Sequence, residues 1–115
     1  MAAGIRSLLK RGGSVTETQL QRAILDALNL LPGVYAFRVN SGRRGKVHLA
    51  PAGTSDILAV VAPHGRFCGL EVKLTGQKLN AAQVAFRDRV RELGAVAEVV
   101  DSVAAAVAAV NSARE

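Results

Sequence analysis

The chain has 115 residues, half of them apolar, with 15 lysines and arginines against nine acidic residues and a net charge of +6. That length suits one compact domain whose core needs neither disulfides nor a structural metal. The basic excess favours a polyanionic partner, nucleic acid first, because phosphate contacts supply most non-specific affinity; a membrane-surface role lacks the long basic amphipathic helix that would carry it.

With three phenylalanines, one tyrosine and no tryptophan, the core must be built from Val, Leu, Ile and Ala. The same scarcity argues against a surface on which single-stranded bases stack. The lone cysteine, Cys68, excludes an internal disulfide and fits a reducing, cytoplasmic compartment. Its apolar surroundings make it a packing residue.

Residues 1–14 hold Arg6, Lys10, Arg11 and the Gly12-Gly13 pair. Ile5, Leu8 and Leu9 are too few for a signal peptide's apolar region or a membrane span, so the segment reads as a flexible basic arm ahead of one folded domain, residues 15–115. Thr16 followed by Gln19 has capping-box spacing, and Leu20, Ile24, Leu28 and Leu31 form a helical stripe that stops before Pro32-Gly33. Glu17, in the first turn, shares the inward face and also suits the helix dipole.

Val34 to Asn40 reads as a strand, with Tyr35, Phe37 and Val39 on one face and Arg38 and Asn40 on the other. Ser41 to His48 is glycine-rich and basic. It lacks the spacing of a nucleotide-triphosphate loop, so Arg43, Arg44 and Lys46 are better read as nucleic-acid backbone contacts. Neither His48 nor His64 has a partner at zinc-ligand spacing.

Two apolar runs flank the Pro63-His64-Gly65 turn and predict adjacent, mostly buried strands. Asp56 opens the first, and Glu71 and Lys73 interrupt the second, where an unpaired buried charge costs several kcal/mol by order of magnitude. If the strands pair, Asp56 and Glu71 converge at one sheet end with Lys73 beside them, and a hard divalent cation relieves the repulsion between the carboxylates. A cross-strand ion pair between Glu71 and Lys73 on a solvated face fits the spacing equally well.

Beyond a turn at Thr75 to Lys78, Asn80 and Gln83 have N-cap spacing for a second helix, in which Gln83, Phe86 and Val90 recur on one face and Arg87, Arg89 and Arg91 make a basic surface; Gly94 ends it. Ala95 to Val100 predicts the last strand. Asp101 or Ser102 then caps an alanine-rich helix with a stripe of Val103, Val107 and Val110.

Gly53-x-x-Asp56, an apolar strand, then Glu71-Val72-Lys73, with Glu17 upstream and Gln83 downstream, resembles the PD-(D/E)XK nucleases and, among them, the virus-type replication-repair nuclease (VRR-NUC) branch. The match runs from about Thr16 to Val110. Ser55 departs from it, standing where the superfamily often has proline.

The resemblance implies an α/β fold, the PD-(D/E)XK restriction-endonuclease-like core, with a central mixed β-sheet of about four strands flanked by helices in the order αβββαβα. It implies a Mg²⁺- or Mn²⁺-dependent DNA endonuclease that hydrolyses phosphodiesters in replication, repair or recombination. Asp56, Glu71 and the Val72 carbonyl would hold the ion, and Glu17 a second ion or an ordered water. Lys73 would orient the attacking water and stabilise the phosphate, and Gln83 would position the lysine or a phosphate. Arg38, Asn40, Arg43, Arg44, Lys46 and Lys78 are the expected DNA contacts. Stand-alone domains of this kind resemble phage-type Holliday-junction resolvases, and symmetric cutting of two strands requires a homodimer. The alternatives are a non-catalytic nucleic-acid-binding module that kept the fold, and a small basic RNA-associated structural protein.

Overall fold

The computed structural model describes residues 15–40, 43–44, 47–48 and 50–115, with backbone only at 43–44 and 47–48. The basic arm expected over residues 1–14 and the loop residue Lys46 lie outside the described residues. Among the described residues, no helix is long and apolar enough to cross a membrane.

Helix α1 (Glu17–Leu28) begins as its sequence predicts. The Gln19 amide donates to Thr16 Oγ1 at 3.1 Å and the Thr16 amide to Gln19 Oε1 at 2.9 Å, closing a capping box. Leu20, Ile24 and Leu28 are buried, but Leu31 lies beyond the helix end and is only half-buried. The C-cap residue, Asn29, was not singled out by any pattern. Its Nδ2 donates to the Ala36 carbonyl and its Oδ1 accepts from the Ala36 amide, both at 2.9 Å.

That grip matters because of where Ala36 sits. Strand β1 (Val34–Arg38) lies at the edge of a four-stranded sheet ordered β1-β4-β5-β6, with β4 (Ile57–Val61), β5 (Arg66–Val72) and β6 (Val96–Val100). The amides of Val39 and Ala62 donate to the Asp56 and Gly33 carbonyls at 2.8 Å, which fixes the alternation and turns the Ala36 groups to the outer edge. Asn29 thus satisfies the middle of an otherwise open strand. The β1–β4 and β4–β5 pairs are antiparallel and β5–β6 is parallel, reached through helix α2 (Ala81–Glu92), so the sheet is mixed as expected. Two short strands, β2 (Arg43–Arg44) and β3 (Val47–His48), form a separate hairpin.

One sheet face carries Ala36, Ile57, Ala59, Val61, Cys68, Leu70 and Val72, all buried under α1 and helix α3 (Val103–Ser112). Ser102 caps α3, its Oγ accepting from the Ala105 amide at 3.0 Å. The expected valine stripe of α3 is fully buried only at Val110. Ala106, Ala109 and Ala113 are the other buried positions, while Val103 and Val107 are half-buried. Val103 and Val107 still pack against the core, so the valine stripe makes the contact together with the small alanines. Burial also pushes the Cys68 thiol up to about 12, in keeping with a packing role.

The second face is covered only in part. Helix α2 packs against β6 and, about 10 Å wide, cannot span four strands set about 4.8 Å apart. The β1–β4 half therefore stays open, and Tyr35, Phe37 and Val60 are exposed there. This corrects the expectation that the few aromatics would leave no stacking surface. The basic face expected of α2 is also reduced, because Arg87, Arg89 and Arg91 pair with Asp88, Glu92 and Glu98 at 3.2 Å.

Replacing Asn29 with alanine removes two hydrogen bonds and leaves the Ala36 backbone unpaired, at a cost of about 1–3 kcal/mol. Chemical denaturation checks this, and a midpoint unchanged from wild type would show that water replaces the side chain fully.

Candidate active site at the end of the sheet

Asp56 immediately precedes β4, and the β4–β5 register, Ile57 opposite Leu70, sets it across from Glu71. Antiparallel partners share a face, so the two carboxylates meet on the face opposite the main core. Asp56 is half-buried, and its Oδ2 accepts from the Val72 amide at 2.8 Å. That bond anchors the aspartate to the strand that carries Glu71 and Lys73.

Glu71 is only 7% exposed. Burial first, then a hydrogen bond to the Asp56 side chain and the charge of Asp56, push its carboxyl up to about 9; Lys73 opposes the shift and Glu17 adds a smaller upward push. The carboxyl is thus protonated at neutral pH and shares its proton with Asp56. Its other oxygen, Oε1, is buried with no hydrogen-bond partner. The solvated ion pair between Glu71 and Lys73 that the spacing allowed is absent. The ion pairs among the described residues are Arg87–Asp88, Arg89–Glu92 and Arg91–Glu98, and none includes either residue.

Two tight contacts set this arrangement. Gly53 has φ +81°, and a Cβ there would fall on the Ala82 carbonyl and within 2.8 Å of the Gln83 amide. Only glycine lets the loop before Asp56 lie flush against the first turn of α2. Ser55, buried where the resemblance often has proline, fills the space over Gly69, whose added Cβ would stand 2.8 Å from Ser55 Oγ. Gly53, Ser55, Glu71 and Gln83 then line a cavity of about 10 Å³, with Arg87 and Val99, large enough for one water at most. A groove of about 680 Å³ on the other face, beside Leu20, Leu74, Val103 and Val107, has Asp101 as its one ionisable group among the described residues.

The structure thus brings together Asp56 and Glu71, with Lys73 and Glu17 acting on the same carboxyl. Gln83 reaches the same cavity as Glu71, but its Oε1 accepts from the Asn80 amide at 2.9 Å, so the cap uses its oxygen and only the Nε2 donor is left for the site. Arg38 is exposed at the end of β1, yet its pairing with Ile57 sets it on the face opposite Glu71. Asn40 and Lys78 are exposed, Arg43 and Arg44 form β2 without described side chains, and Lys46 is outside the described residues.

Among the described residues, no three His, Cys, Asp or Glu side chains already stand as a metal cage. The donor set to weigh is therefore the Asp56–Glu71 pair. It fits Mg²⁺ or Mn²⁺: the donors are hard oxygens, one is an orphaned buried Oε1, and the proton the pair shares is what a cation would displace.

No family model and no curated protein matches the chain. A solved structure described as a VRR_NUC domain is similar in fold, with a TM-score of 0.61 and 20% identical residues over 85% of this chain and 97% of that chain. The α/β arrangement, a four-stranded mixed sheet flanked by helices, is that of a VRR-NUC domain, as the sequence resemblance implied.

Glu71 gives the metal-free protein a specific pH dependence. The folded state keeps its proton up to about pH 9, whereas an ordinary glutamate releases it near 4.5, so stability falls as pH rises from about 5 to about 9. Unfolding in EDTA across that range should show the slope, and Glu71→Gln should flatten it; equal slopes would place the titration elsewhere. Gly53→Ala should lose about 1–3 kcal/mol more than Gly76→Ala, because Gly76 has a similar φ of +89° but nothing within 4 Å of an added Cβ. Denaturation of the two variants side by side isolates the contact with α2, and equal losses would remove it from the account.

Proposed function

We propose that the chain is a metal-dependent DNA endonuclease that hydrolyses phosphodiester bonds, acts on branched DNA such as a four-way junction, and works as a homodimer. The observation that supports this best is the protonated, half-orphaned Glu71 carboxyl against Asp56 at one sheet end, in a VRR-NUC fold. A core built only for stability gains nothing from an unsatisfied buried carboxyl; a site waiting for a cation does.

Asp56, Glu71 and the Val72 carbonyl would hold Mg²⁺ or Mn²⁺, with Glu17 holding a second ion or an ordered water. The bound ion would lower the pKa of a water and neutralise charge at the phosphate. The chain's own residues do the rest. The Val72 amide fixes the Asp56 carboxylate, and burial keeps Glu71 short of other partners until a ligand arrives. Lys73, half-buried two residues beyond Glu71, offers an ammonium to orient the water and to meet the phosphate oxygens. The Gln83 Nε2 can donate to the scissile phosphate; with its Oε1 taken by the Asn80 amide, it has no free acceptor for the lysine ammonium. Arg43, Arg44, Lys46 and Lys78 would contact flanking phosphates, each adding salt dependence to binding, and Asn40 would add a neutral hydrogen bond; Arg38, on the opposite sheet face, is not placed for this.

A junction presents two equivalent scissile phosphates, and one chain of this size supplies one carboxylate pair, which favours a two-fold dimer.

Cleavage of labelled junction, flap and blunt duplex should require Mg²⁺ or Mn²⁺ and stop in EDTA. Asp56→Ala and Lys73→Ala should each lower the rate at least about 100-fold with the fold intact by circular dichroism. Metal-dependent cutting that survives both substitutions overturns the assignment. Sedimentation should give a dimer at assay concentrations, and full junction activity from a monomer would remove the symmetric-cutting argument.

A further inference from the structure

Two of the chain's four aromatic rings stand side by side on its surface. Tyr35 is 67% and Phe37 40% exposed, and their ring centroids are 5.7 Å apart at an interplanar angle of 39°. Burying either ring beneath the sheet was open to the fold, since both sit in a strand. Instead Ala36 faces the core and the rings face out.

The register locates them relative to the carboxylates. Phe37 is opposite Leu58, itself opposite Gly69; Tyr35 is opposite Val60, itself opposite Phe67. These rows lie on the same sheet face as Glu71 and run directly away from the Asp56–Glu71 row. From strand spacing, Phe37 is roughly 8 Å from Asp56, and Tyr35 is about one nucleotide step further on.

We propose that Tyr35 and Phe37 form a platform on which unpaired bases of the cleaved strand stack, which rests on the nuclease reading and gives that site a preference for DNA with unpaired bases next to the scissile phosphate. Aromatic faces suit any base, which is what a structure-selective rather than sequence-selective site requires. A blunt duplex, with every base stacked in the helix, has none to offer. The chain's +6 charge favours a phosphodiester strand over an apolar protein partner on this patch. Pairing with the β1 edge of a second copy is opposed by Asn29, which already occupies the Ala36 backbone, and a protein seated on the rings would crowd the carboxylates they adjoin.

The test is binding in EDTA, where no cleavage is needed. Wild type, Tyr35→Ala/Phe37→Ala, Tyr35→Leu/Phe37→Leu and Tyr35→Phe/Phe37→Tyr are titrated with a flap, a blunt duplex and a flap carrying 2-aminopurine at its first unpaired positions. Both the alanine and leucine pairs should weaken flap binding by roughly tenfold or more, change duplex binding less than twofold, and lose the quenching of 2-aminopurine seen with wild type. The exchanged aromatic pair should retain both. Leucine variants that bind and quench like wild type, or alanine variants that weaken flap and duplex equally, overturn the platform. So does an alanine pair that binds normally but sediments as a smaller species, since the patch is then a protein interface. Failure of the nuclease reading is distinguishable: wild type then binds the flap with intact quenching but shows no Asp56-dependent cleavage when metal is added, or binds no DNA at all, which removes both.

Discussion

The constraint on which the rest depends is a buried carboxyl that cannot be charged alone. Glu71 lies on a central strand of the sheet, nearly inaccessible, with Asp56 across from it. Two anions at that separation and burial repel strongly, so one is kept neutral and shares its proton. Such a pair is costly in a core, and its hard oxygens and shared proton are what the proposed divalent ion would use and displace.

The surrounding fold can be read as the means of keeping that pair in place. The Val72 amide ties Asp56 to the strand bearing Glu71. Gly53 lets the preceding loop lie against the first turn of α2, and Ser55 over Gly69 closes the space above β5. On the far face α1, capped at Thr16, brings Glu17 to the same sheet end through its buried Leu20, Ile24 and Leu28. The capping box at Asn80 starts α2 where Gln83 borders the Glu71 cavity. Capping residues and candidate site residues thus sit together at the N-termini of α1 and α2.

Much of this was legible in the sequence, for identifiable reasons. Charges inside apolar runs are conspicuous, so Asp56, Glu71 and Lys73 announced themselves, and the capping boxes depend only on residues three apart. What failed to show depends on tertiary partners. On α3, Ala106 and Ala109 are buried beside the valine stripe, which a hydropathy stripe of larger residues does not mark. The arginines of α2 lose their free charge to Asp88, Glu92 and Glu98, one of them on another element. Asn29 reads as an ordinary helix-end residue until β1 is placed beside it. Tyr35 and Phe37 read as one face of a strand with nothing to say whether it is covered; their exposure follows from the width of a single helix over a four-stranded sheet.

That uncovered half-face also gives the molecule its asymmetry. One end of the sheet face carries the Asp56–Glu71 pair, the adjoining half is aromatic and open, and the opposite face is packed by α1 and α3.

The most direct measure of the central claim is calorimetric titration of Mn²⁺ into metal-stripped protein near pH 7, repeated in buffers of different ionisation enthalpy to count protons. The account predicts saturable binding that releases close to one proton per ion, with both the binding and the release lost in Asp56→Ala and Glu71→Gln. Binding that releases no proton, or that persists unchanged in those two variants, would contradict it.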